Sequence, residues 1–100
     1  MTPETEKYRE QLRAMMPELR ERFGVSELGL FGSRVRGDHR PDSDLDVLLT
    51  YLPEARPTLI DLVELEAILT ERLAIKVDLA LKRSLKKYIG PNILREAQPV

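Results

Sequence analysis

The chain has 100 residues, 42% hydrophobic and 33% charged, with a formal net charge of −1 and no cysteine. That length admits one core and a single domain over 1–100, and the missing cysteines exclude disulfides, thiolate metal sites and a thiol nucleophile. The near-zero charge gives no field for a polyanion, so no direct nucleic-acid contact is expected. No apolar run is long enough for a membrane, and "MTPETEKYRE" lacks the basic-then-apolar order of a signal peptide, which makes the cytoplasm the default address.

In chain order, Thr2 and Pro3 open a helix as cap and first residue. Tyr8, Leu12, Met15, Met16, Leu19 and Phe23 recur at helical spacing, and Gly24 stops it. Pro17 falls inside that pattern and predicts a kink or two helices end to end. "VSELGLF" reads as a strand, the Gly-rich charged stretch after it as a loop, and "DLDVLLT" as a second strand. Thr58 caps a helix over "LIDLVELEAILTERL", whose stripe is Leu59, Leu62, Val63, Ile68 and Leu69. "IKVDLAL" is a third strand. The basic cluster Lys82 to Lys87 reads as a solvated surface, and "GPNILREA" as a short terminal helix. The predicted class is α/β, with strands and helices interleaved around one sheet.

Side chains alternate across a strand, so Asp44 and Asp46 share one face while Leu45, Val47 and Leu49 take the other. On the third strand Asp78 stands opposite Ile75, Val77 and Leu79. If the two strands are close neighbours, Asp44, Asp46 and Asp78 converge. Three converging carboxylates repel one another unless a cation sits among them, and Mg²⁺ takes carboxylate and phosphate oxygens. Gly32 and Ser33, at the end of the preceding strand, add close-approaching amides and a hydroxyl suited to a phosphate tail.

Two other motifs fail. A calcium loop beginning at Asp42 needs Gly and Glu where Val47 and Pro53 stand. Gly32 to Gly37 has P-loop spacing, but Asp38-His39 follows where Lys and Ser/Thr are required. The lone His39, in the same loop, reads as an exposed residue with no catalytic part.

Phe31-Gly32-Ser33 followed by Asp44-Leu45-Asp46-Val47 resembles the pattern of the nucleotidyltransferase superfamily with the DNA polymerase β-like fold. "GSRVRG" leading to "SDLDVL" is similar to its minimal nucleotidyltransferases, the MntA-like antitoxins, over nearly the whole chain. The resemblance implies a small mixed sheet with helices on one face, and no separate acceptor-binding domain. It implies that Gly32 and Ser33 bind the triphosphate of ATP, with Arg34 and Arg36 near the phosphates. Asp44, Asp46 and Asp78 would hold two Mg²⁺ ions, Asp78 also helping to deprotonate the attacking hydroxyl. The implied partner is a HEPN-domain toxin in a hetero-oligomer, with AMP transferred to one of its tyrosines. Neutralisation by binding alone, and transfer to a small molecule or RNA, are the competing readings.

Overall fold

The computed structural model describes residues 1–82 and 95–100. Helix α1 (Pro3–Phe23) leads into strand β1 (Val25–Phe31) and a single helical turn, α2 (Ser33–Arg36). Strand β2 (Leu45–Tyr51), helix α3 (Leu59–Leu73), strand β3 (Val77–Leu81) and the two-residue strand β4 (Gln98–Pro99) follow.

The capping chemistry expected for both long helices is present. Thr2 Oγ1 accepts from Thr5 N, and Gly24 closes α1 in the left-handed region at φ 72°. At α3, Thr58 and Asp61 form a reciprocal capping box. Pro17 does not divide α1, which is one continuous helix of 21 residues. Proline removes one amide donor, but Leu12 and Leu19 on either side are both fully buried and hold the two halves on the same core.

The sheet order is β3-β2-β1-β4, with β1 antiparallel to β2 and β4, and β2 parallel to β3. One face meets the two long helices: Leu30, Leu45, Val47, Leu49 and Val77 pack with Leu12 and Leu19 of α1 and Leu65, Leu69 and Leu73 of α3. The mixed sheet with helices on one face is the predicted class. No helix among the described residues is long and apolar enough to cross a membrane.

Three further details differ from the sequence reading. The expected loop after Gly32 begins as the turn α2. Leu59 and Val63, assigned to the apolar stripe of α3, are 75% and 62% exposed. At 3.6 residues per turn Val63 lies about 120° round the helix from Leu69, and the core takes Leu65, Leu69 and Leu73 instead. Finally, β4 was not anticipated, because two residues, one of them proline, show no alternation; a long-range bond from Val100 N to Leu28 O (3.0 Å) helps to seat it. The basic cluster beyond Lys82 and most of the expected terminal helix lie outside the described residues.

Candidate active site

The carboxylates come together through strand register. Phe31 of β1 faces Asp46 of β2, and Asp46 faces Asp78 of β3. Neighbouring strands are about 4.8 Å apart, so Asp46 and Asp78 stand side by side. The flanking Leu45 and Val47 are fully buried on the helix-covered side, which puts Asp46 on the open side. Asp44 lies one residue before β2, and its carboxylate is 3.9 Å from Lys76 Nζ.

Gly32 closes over this pair. It joins β1 to α2 at φ 82°, ψ −162°, a region essentially reserved for glycine. A Cβ there would fall 2.9 Å from Asp46 Cγ and nearer still to Oδ2. The glycine backbone therefore sits against the carboxylate as no other residue could. Beyond it, Val35 N and Arg36 N both turn back to Gly32 O at 3.1 Å. As the first two residues of the turn, Ser33 and Arg34 have amides without an intrahelical acceptor.

The crowding has an electrostatic consequence. Burial, then Asp78, then Asp44 push the Asp46 carboxyl up to about 6, with Glu96 adding and Arg36 opposing. The folded protein thus keeps a proton that the unfolded chain, at 3.8, has released. Stability from this group is full below about pH 4 and falls as pH rises toward 6. Without divalent cations, an NMR titration should find the Asp46 midpoint near 6. Urea unfolding should lose more stability between pH 4 and 6 in the wild type than in Asp46→Asn.

The two arginines of the motif behave differently. Arg34 is buried, and its guanidinium is taken up by protein acceptors: Ser43 O at 3.0 Å, Pro41 O at 3.3 Å and Glu4 Oε1 at 2.9 Å. It ties the segment entering Asp44 to the first turn of α1, a positioning role distinct from the phosphate contact expected of it. Lysine cannot span three acceptors, so Arg34→Lys should cost about 1–3 kcal/mol in urea unfolding by leaving backbone carbonyls unpaired. Arg36 is exposed, with Nε 3.2 Å from Asp38 Oδ2 and Nη1 2.8 Å from Glu96 Oε1.

Glu96 is the site residue that sequence reasoning missed. It lies 50 positions from Asp46, and no motif marks it; only the pairing of β4 with β1 brings it to this edge. His39, expected to be exposed, is half-buried, and its Nδ1 is buried with no partner among the described residues. A cavity of about 550 Å³ lies toward the other end of β2, lined by Leu49, Tyr51, Leu52, Arg56 and Leu81 among others, and includes none of the carboxylates.

Among the described residues no three acid or imidazole side chains already stand close enough to enclose an ion. The donor set nevertheless fits a hard cation. It is all oxygen, and Asp78 and Asp44, which after burial push the Asp46 carboxyl up, add a negative potential that a cation would relieve.

A glycine turn is thus pressed against acids on adjacent strands, with the leading amides of α2 beside them. The sequence model of the nucleotidyltransferase domain matches residues 12–100, and the chain belongs to that family of enzymes. Within it, the chain is 49% identical over 85 residues to protein adenylyltransferase MntA of Thermococcus cleftensis, covering 85% of this chain and 84% of that one. Protein MJ0126 of Methanocaldococcus jannaschii is 39% identical over 86 residues, 85% and 86% of the two chains. A solved minimal nucleotidyltransferase superposes with a TM-score of 0.71 at 36% identity, over 91% of this chain and 94% of the other. A toxin–antitoxin complex crystallised with AMP-PNP matches at 0.70 over 87% and 69%; at 23% identity that likeness speaks for the fold.

Proposed function

We propose that the chain is a Mg²⁺-dependent protein adenylyltransferase that acts as the antitoxin of a toxin–antitoxin pair, moving AMP from ATP to a tyrosine of a HEPN-domain toxin. The observation that carries the reading is the Asp46–Asp78 register pair beneath Gly32. It is supported by the 49% identical relative named a protein adenylyltransferase and by the shared fold of a toxin–antitoxin complex that binds AMP-PNP.

In this reading Asp44, Asp46 and Asp78 hold the Mg²⁺ ions, which when bound neutralise the phosphates and ease deprotonation of the acceptor hydroxyl. The backbone at Gly32, the Ser33 hydroxyl and the leading amides of the α2 turn receive the triphosphate tail, and Arg36 supplies a cation beside it. The tyrosine oxygen attacks the α-phosphorus, its bond forms as the bond to the β-phosphate oxygen breaks, and pyrophosphate leaves. The hydroxyl proton passes to Asp78, the most exposed of the three acids.

The test is to incubate the protein with ATP, Mg²⁺ and the toxin encoded beside it, then weigh the toxin. A gain of one AMP moiety is expected; an unchanged mass with both proteins folded would overturn the reading. Neutralisation by binding alone has one observation in its favour. Leu59, Ile60 and Val63 stand exposed at the start of α3, an apolar face another chain could cover. If binding suffices, Asp44→Ala/Asp46→Ala still silences the toxin; if transfer is required, it does not.

A further inference from the structure

An exposed arginine beside three carboxylates should fold onto them, forming an ion pair where a metal would otherwise bind. Arg36 ends the short α2 turn that starts at Gly32, the residue lying against Asp46, yet it pairs elsewhere, with Asp38 and Glu96. The two restraints are unequal. Asp38 is two residues away on the same surface turn and its side chain is 63% exposed, so it ties Arg36 to its own turn rather than to the sheet. Glu96 makes the shorter contact, 2.8 Å, and is only 26% exposed.

Glu96 is also the better anchored. Two residues on, Gln98 pairs with Leu30 and Pro99 with Gly29. Arg9 Nε donates to Pro99 O at 2.9 Å, Arg13 Nε donates to Val100 O, and Val100 N donates to Leu28 O at 3.0 Å. The antiparallel register, continued from Gln98, brings position 96 level with the Gly32 end of β1, where Asp46 lies on the neighbouring strand.

We propose that Glu96 is a positioning residue: fixed by β4, it holds Arg36 off the Asp44–Asp46–Asp78 set and so keeps those carboxylates open to a divalent cation. This builds on the metal-dependent reading above and gives β4 a part in the site. The same contact keeps the Arg36 guanidinium beside the set, where a phosphate would meet it.

The test measures binding of Mn²⁺, without ATP or acceptor, by electron paramagnetic resonance of the free ion. The proteins are the wild type, Glu96→Gln, Glu96→Asp, Arg36→Gln and the Glu96→Gln/Arg36→Gln double variant. Releasing Arg36 should weaken binding in Glu96→Gln by about 10-fold, the lower end of effects seen for outer-shell partners. Glu96→Asp should recover part of the loss, and in the Arg36→Gln background Glu96→Gln should change little. Equal weakening in both backgrounds would make Glu96 a ligand or a plain source of negative field, and no weakening in either would remove its role; both overturn the proposal. Should Glu96→Gln fail to fold by circular dichroism, Arg36→Gln decides alone: affinity at or above wild type supports the proposal, a loss overturns it. A wild type that binds no Mn²⁺ overturns the metal reading itself, whereas binding without coupling overturns only this inference.

Discussion

Asp46→Ala should abolish AMP transfer while leaving a folded and, without metal, slightly more stable protein. Asp46 is the central member of the acid set, paired in register with Asp78 and pressed by Gly32. Its carboxyl is held near 6 by burial and by its two acidic neighbours. In the metal-dependent reading, removing it would delete a ligand and at the same time relieve that repulsion, so activity and stability move in opposite directions. Outer-shell partners of metals alone are worth about 10- to 100-fold, so losing a direct ligand should cost more than about 100-fold in single-turnover transfer. Urea unfolding at pH 7 without divalent cations should show an equal or higher midpoint than wild type. Transfer within tenfold of wild type would remove Asp46 from the reaction.

Gly32→Ala should damage the site from the opposite side. The backbone there, φ 82° and ψ −162°, costs a residue with a side chain about 1–3 kcal/mol. The added methyl group would also strike the Asp46 carboxylate. Either the turn shifts or Asp46 moves away from Asp78, and both break the alignment of phosphate donors with acids. We expect unfolding to show the backbone penalty and transfer to fall to background. The two causes separate in the Gly32→Ala/Asp46→Ala double variant. With the carboxylate gone only a tight 3.2 Å contact to the Cβ of residue 46 is left, so the stability loss should shrink toward the backbone term, a non-additivity characteristic of touching groups. Fully additive losses would mean that the close approach is not what requires glycine.

The local elements were readable because local chemistry fixes them. Thr2 and Gly24 bracket α1, Thr58 with Asp61 starts α3, and "VSELGLF" is β1 residue for residue. Asp44 and Asp46 were readable as a pair because strand alternation sets them apart from Leu45 and Val47. The exposed face of α3 was not, since a helix with apolar residues on more than one side does not reveal which side the sheet will cover. Arg34 and Arg36 look equivalent in "GSRVRG", but two positions on a helical turn point about 200° apart. One is therefore buried under Ser43 and Pro41 and the other stands in the open.

The sequence by itself determined the family, the glycine turn and the two strands that carry acids, because each is written in short-range spacing. Tertiary structure decided what spacing has no means to encode. The parallel pairing of β2 with β3 sets Asp78 beside Asp46, although 32 residues separate them. The antiparallel return of β4 brings Glu96 from the end of the chain to Arg36. Register between distant strands is fixed by which faces must be buried together, a property of the assembled core that no single segment contains.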